Sequence, residues 1–214
     1  MAEKQNTSRA RLDELLDATP LATIALIRDG HPVIFPVGFA RIDDELVVHG
    51  SSGSPLLRQL AAGADAAVSV TALDGVLVAR SAFESSFQFR SAVLFGTFEL
   101  IPDADKIGYL ETLTDTFIPG RVAELRTSLR KELAATMALR MPIGSDNWSL
   151  KIGDGWPEDS DDDVAAGGWA GIVPLTTVYG EPTRAPDCQP GTPVPPSVNA
   201  MVGELSNRRG RHRP

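Results

Sequence analysis

The chain has 214 residues, 43% of them hydrophobic, and a formal net charge of −8 from 28 acidic and 20 basic side chains. That length and apolar content allow one well-cored domain with or without a tail, while the acidic balance argues against a polyphosphate partner, so no nucleic acid is expected. No run approaches the roughly 18 apolar residues of a membrane helix, and the polar start Met1-Ala2-Glu3-Lys4-Gln5 lacks a signal segment. No membrane partner and a cytoplasmic location are the corresponding expectations. The single cysteine, Cys188, leaves no intrachain disulfide and no metal site built on several thiolates.

Leu12, Leu15 and Leu16 share the spacing of one helix face and predict a short helix over 9–18, stopped by Thr19-Pro20. Three β-prone runs follow, 21–27, 32–40 and 45–49, with turns at Asp29-Gly30 and Asp43-Asp44. Pro32 and Pro36 place the second run at an edge or beside a bulge. The bend Gly50-Ser51-Ser52-Gly53-Ser54-Pro55 then leads into a helix marked by Leu56, Leu57, Leu60 and Ala61. Runs 66–72 and 76–82 read as a hairpin about Leu73-Asp74-Gly75, and 91–101 as a further strand with an irregularity at Gly96. At least six antiparallel strands are expected in all.

Two helical stretches come next, one through Ile107, Leu110, Leu113 and Phe117, the other through Leu125, Leu129, Leu133 and Met137, the second read as the long one. A strand is expected over 148–152, a solvated acidic loop over 158–163, and a further run over 169–179. Beyond Glu181 the residues Pro182, Pro186, Pro190, Pro193, Pro195 and Pro196 predict a mobile or surface-wrapping tail over 181–214, after a folded domain over 1–180. The basic end Arg208-Arg209-Gly210-Arg211-His212-Arg213 reads as solvated.

Six segments in order resemble the flavin-nucleotide-binding branch of the pyridoxamine 5′-phosphate oxidase-like family, the branch that includes the nitroimidazole-resistance proteins. They are Val48-His49-Gly50-Ser51-Ser52, Leu77-Val78-Ala79-Arg80-Ser81-Ala82-Phe83, Arg90-Ser91-Ala92-Val93-Leu94-Phe95-Gly96, Pro119-Gly120-Arg121, Glu132-Leu133-Ala134-Ala135-Thr136 and Trp169-Ala170-Gly171-Ile172-Val173-Pro174-Leu175. The resemblance spans about Leu12 to Gly180. It implies a mainly β, α+β fold, a six-stranded antiparallel split β-barrel with peripheral helices. It also implies a homodimer that holds FMN or FAD at its interface.

The resemblance assigns the nucleotide phosphate to His49, Gly50, Ser51, Ser52, Ser54 and Arg58, where serine hydroxyls and N–H groups meet a helix start and a cation. It assigns the ring and phosphate to Arg80, Ser81, Phe89, Arg90 and Ser91, with Lys151 and Trp169 as further cofactor contacts. Each has an ordinary alternative: a capped turn for the serines, rim salt bridges for Arg80 and Arg90, core packing for Phe87, Phe89 and Trp169, and solvation for Lys151. Histidines and a tyrosine common in the family are replaced here by Glu84, Ser85 and Phe89. His49 is then the candidate for catalysis or for axial haem ligation, with a structural role as its alternative. No other metal site is expected, because the run Asp161-Asp162-Asp163 lacks the alternation of a calcium loop.

The first functional reading is a flavin-dependent oxidoreductase of undetermined substrate. The second is a protein that stores, carries or senses flavin or haem without turnover, since the segment lacks the family's usual proton donors. A true pyridoxamine phosphate oxidase is a weaker third, because the terminal arginines follow a proline-rich segment. Sequence does not distinguish FMN from FAD or a deazaflavin.

Overall fold

The structure is a computed structural model and describes residues 5–208. In chain order its first elements are β1 (Gln5–Asn6), α1 (Arg9–Ala18), β2 (Leu21–Arg28), β3 (His31–Ile42), β4 (Glu45–Ser51), α2 (Pro55–Ala61), β5 (Ala66–Val78) and β6 (Ser86–Gly96). They are followed by β7 (Glu99–Leu100), α3 (Asp103–Phe117), a 3-10 turn (Val122–Glu124), α4 (Arg130–Ala135) and β8 (Thr136–Pro142). The last are β9 (Trp148–Gly153), α5 (Asp161–Ala166), β10 (Gly171–Pro174) and α6 (Pro196–Arg208).

All paired strands described by register run antiparallel. This is the mainly β, α+β class of the split barrel, with one correction: eight strands have four or more residues, rather than six, and β1 and β7 are two-residue additions. Among the described residues no helix is long and apolar enough to cross a membrane. The chain divides into two compact units, one of 5–37, 66–96 and 143–176, the other of 38–65, 97–142 and 177–208.

In the first unit β6 pairs with β9 on one side and with β5 on the other, while β2 and β10 share the far edge of β5. Ala22, Ile24 and Leu26 alternate inward along β2, and Leu12, Leu15 and Leu16 of α1 are buried with Val68, Val70, Ala92, Leu94 and Leu150. Each such Leu, Ile or Val side chain removed from water contributes about 1.5–3 kcal/mol, and the alanine methyls less. Ser8 caps α1 by accepting the Arg11 N–H at 3.4 Å. The other face of this sheet leaves Ile27, Leu73, Val76, Phe87, Phe95 and Val173 exposed.

The hairpin expected about Leu73-Asp74-Gly75 is instead one continuous strand, β5, with a bulge between Leu73 and Gly75. Long-range contacts hold that bulge open. Arg90 grips Asp74 with two 2.8 Å bonds, and the Leu175 N–H donates to the Asp74 carbonyl at 2.8 Å. Gly75 is required here, because a Cβ would lie 2.9 Å from the Val173 carbonyl oxygen.

In the second unit the end of β3 pairs with β4, β4 with β8, and β8 with β7. Helix α3 covers one face, where Ala40, Val47, Ile101, Leu113 and Ala138 form a buried cluster flanked by Tyr109, Leu110 and Phe117. The second helical stretch is corrected: its four apolar residues divide between a loop, the six-residue α4 and strand β8, and α3 is the long helix. Glu132 ends the disagreement locally. It accepts the Leu129 N–H at 2.8 Å and pairs with Arg126, which starts α4 afresh after a break.

Candidate functional site

The sequence-predicted residues fall into two groups, one in each unit. In the second unit, β4 delivers His49, Gly50 and Ser51 to the serine bend, and Ser54 with Pro55 starts α2. Gly50 leaves room for Leu57: a Cβ would meet Leu57 Cδ1 at 2.6 Å, so the end of that buried side chain would have to shift. The bend is largely bonded to itself. The Ser52 N–H donates to the Ala135 carbonyl at 2.9 Å, Gly53 N–H to Ser51 Oγ at 3.1 Å, and Ser54 N–H to the Ser51 carbonyl at 2.9 Å.

Ser54 Oγ accepts the Leu57 N–H, so that oxygen serves as the helix cap. What remains for an anion is therefore hydroxyl protons and one guanidinium. Arg58 Nε donates to the Ser52 carbonyl at 2.8 Å, which fixes the side chain over the bend, while the exposed guanidinium meets no carboxylate among the described residues. A pinned arginine beside three serines is a chemically suitable set for a phosphate.

His49 has its Nδ1 buried without a hydrogen-bond partner among the described residues. Burial lowers its pKa from the ordinary 6.5, so the imidazole is neutral at neutral pH. A neutral imidazole keeps a lone pair for a metal ion.

In the first unit, Arg80, just beyond β5, is committed to the loop that carries Asp159 and Gly168. Its backbone N–H and Nη1 reach the two oxygens of Asp159 at 2.7 and 2.9 Å, and its Nε donates to the Gly168 carbonyl at 3.1 Å. Ser81 closes the next turn, its Oγ accepting the Glu84 N–H and its carbonyl accepting the Ser85 hydroxyl. The loop ends at Trp169, which is 67% exposed and lies on Gly171, where a Cβ would be 2.9 Å from the indole.

Phe89, Ser91 and Lys151 share one face of the sheet, Ser91 and Lys151 as direct register partners. Lys151 Nζ stands 5.8 Å from the Phe89 ring centroid, and Gly153 lies beside that ring. Arg90 belongs to the opposite face of β6, where Asp74 first, through its hydrogen bonds, raises its pKa. It does not join Phe89, Ser91 and Lys151.

Three features escaped the sequence reading. Asp159 was expected in a solvated loop, yet its side chain is 2% exposed and anchors Arg80. Asp161, Asp162 and Asp163 form the first turn of α5, capped by Ser160 Oγ, which accepts the Asp163 N–H; Ser160 followed three residues later by an acid was the available signal. Ser197 of α6 donates from both N–H and Oγ to Glu124, at 3.0 and 2.5 Å, a pairing 73 residues long that no local pattern announces.

These elements define a protein of the split β-barrel class with a serine and arginine bend at the start of α2. The model of the family described as pyridoxamine 5′-phosphate oxidase matches residues 8–147, and the chain belongs to that family. It is similar to the FAD and Heme binding protein from Mycobacterium smegmatis, with 71% identity, a TM-score of 0.92, and coverage of 95% of this chain and 99% of that one. It is also similar to the flavocytochrome Anf3 from Azotobacter vinelandii, with 33% identity, a TM-score of 0.84, and coverage of 92% and 91% respectively. No curated protein matches the chain.

Proposed function

We propose that this chain binds FAD and haem and acts as a flavin-dependent oxidoreductase of undetermined substrate. The observation that carries the reading is 71% identity over 95% of the chain to a protein described as binding both groups. In the second unit, Arg58 with the hydroxyls of Ser51, Ser52 and Ser54 would hold a nucleotide phosphate, and in the first unit Phe89, Ser91, Lys151 and Trp169 would offer a surface to a flavin ring. Arg80 and Arg90 would act through the loops they brace, since their charge is met by Asp159 and Asp74. A bound flavin would supply the electron-accepting and electron-donating chemistry, and the protein the orientation and charge around it.

A homodimer is part of the proposal. The exposed apolar row Val173, Val76 and Phe87, aligned across three strands, supports it, because so apolar a sheet face is normally covered. We also place the functional boundary at residue 180, with the segment from Glu181 onward as an accessory wrap.

A second reading, binding without turnover, is favoured by one observation. Ser85, in the segment that the family resemblance reads as short of proton donors, is spent on the Ala79 N–H and the Ser81 carbonyl. Titration of FAD into apoprotein, followed by stopped-flow addition of a reduced nicotinamide cofactor, separates the two. Micromolar binding with rapid flavin bleaching supports the oxidoreductase, binding without bleaching supports the carrier, and no binding removes both.

A further inference from the structure

Resting on the proposal that the serine bend holds a nucleotide phosphate, we infer that Lys106 is a positioning residue of that bend, its ammonium fixing the end of α4 from which the bend hangs. Lys106, on α3, is only 8% exposed, although lysine is almost never buried without a partner. Taking an ammonium out of water is costly, so its partners hold the reason for its place.

Helix α3 does not supply that reason. Lys106 follows directly on the first turn of α3, where the positive end of the helix dipole favours acids, and Asp103 and Asp105 occupy that turn. Asp103 pairs with Lys106, but its carboxylate is 93% exposed and would meet an outward-pointing lysine equally well.

The second partner is remote. Lys106 Nζ donates to the Leu133 carbonyl at 3.4 Å, across 27 residues. Leu133 stands in the last turn of α4, which carries no basic residue of its own there. The last carbonyls of a helix lack partners within it and form its negative end, so a cation beside them is favourable. Lys106 supplies that cation from α3. The same carbonyl accepts the Thr136 N–H, so both of its acceptor positions are used.

The end of α4 in turn holds the bend. Ala135, its last residue, accepts the Ser52 N–H at 2.9 Å, and Thr136, Met137 and Ala138 pair in register with Ser51, Gly50 and His49. The Ser52 carbonyl accepts Arg58 Nε at 2.8 Å. Ser52 is thus gripped on one side by α4 and on the other by the cation assigned to the phosphate. A shift of α4 moves Ser52, and with it the anchor of Arg58. Loss of the ammonium therefore reaches the phosphate site through the backbone.

The test is fluorescence titration of FAD, and of riboflavin, which has no phosphate, into the full chain as wild type, Lys106→Met, Lys106→Arg, Asp103→Asn and Arg58→Ala. Lys106→Met is expected to weaken FAD binding by ~5- to 10-fold, the scale of one lost hydrogen bond to a charged group, and to leave riboflavin binding as in wild type. Lys106→Arg, which keeps the cation, is expected to keep the ratio of the two affinities, and Asp103→Asn to match wild type. A role confined to stability would lower both ligands together. Equal losses for the two ligands in Lys106→Met, or none, beside a selective FAD loss in Arg58→Ala, would overturn the positioning role and leave the phosphate reading intact. FAD binding untouched in Arg58→Ala would overturn the bend as the phosphate site, and the role of Lys106 with it. A wild type that binds neither ligand would overturn the flavin reading itself. Should Lys106→Met not fold, Lys106→Gln, which fills the space without the charge, decides by the same ratio: a fall supports the role and an unchanged ratio overturns it.

Discussion

Arg80 and Asp159 are joined twice across 79 residues, once through the arginine backbone N–H and once through its guanidinium, around a carboxylate that is only 2% exposed. That pair ties the end of β5 to the loop that carries Trp169. Removing the carboxylate leaves both donors without their acceptor. Asp159→Ala is expected to cost about 2–3 kcal/mol, and Asp159→Asn, which keeps one acceptor, about half of that. Urea denaturation at constant slope measures both; equal stability of Asp159→Ala and wild type would show the pair to be idle.

Gly50 and Leu57 couple the serine bend to α2 by contact alone, since Leu57 is buried and a Gly50 Cβ would meet its Cδ1 at 2.6 Å. Gly50→Ala is expected to destabilise by about 1–3 kcal/mol through overpacking. Combining it with Leu57→Ala should give a loss smaller than the sum of the two single losses, by more than ~0.5 kcal/mol. Strict additivity in the double-mutant cycle would show that the bend and the helix do not press on each other.

Arg58 is the exposed cation of the bend and meets no carboxylate among the described residues. Loss of one charge-assisted contact to a phosphate corresponds to roughly 10- to 100-fold in affinity. Arg58→Ala is expected to weaken FAD binding by about that factor and to leave riboflavin, which has no phosphate, bound as before. Fluorescence titration with the two ligands reads the difference, and an equal loss for both would remove Arg58 from phosphate binding.

Glu124 anchors α6, and the hydrogen bond from the Ser197 hydroxyl first, then the Ser197 N–H and Arg121, holds its pKa below the ordinary 4.5. A depressed carboxylate contributes stability above its unfolded value and loses it as pH falls through the folded one. The anchorage should therefore be complete above about pH 4.5 and released below it. Limited proteolysis of the 177–202 segment against pH is expected to show that release, and Glu124→Gln, whose amide does not titrate, should be cleaved readily across the whole range. Cleavage independent of pH in both proteins would contradict the anchor.

The elements with local signals were legible in the sequence. Leucines at helix spacing with Thr19-Pro20 as the stop announce α1, and the bend ending in Ser54-Pro55 followed by Leu56, Leu57 and Leu60 announces α2. Elements decided by distant partners were not. The bulge in β5 looks like a hairpin turn until Arg90 and Leu175 are seen to hold Asp74, and Leu133 and Met137 look like one helix face until β8 pairs with β4. The candidate site divides in the same way: the serine bend is contiguous and so is legible as one segment, whereas the partner of Arg80 lies 79 residues away in a run that reads as solvated. His49 stood out by scarcity, but its orphaned nitrogen is a property of packing that no spacing encodes.

The most direct test is the absorption spectrum of the protein as purified, with mass spectrometry of whatever it releases. A flavin envelope together with a Soret band, and FAD recovered in the released fraction, is the predicted result. A colourless protein that gains neither band when offered micromolar FAD and haemin would contradict the account at its root.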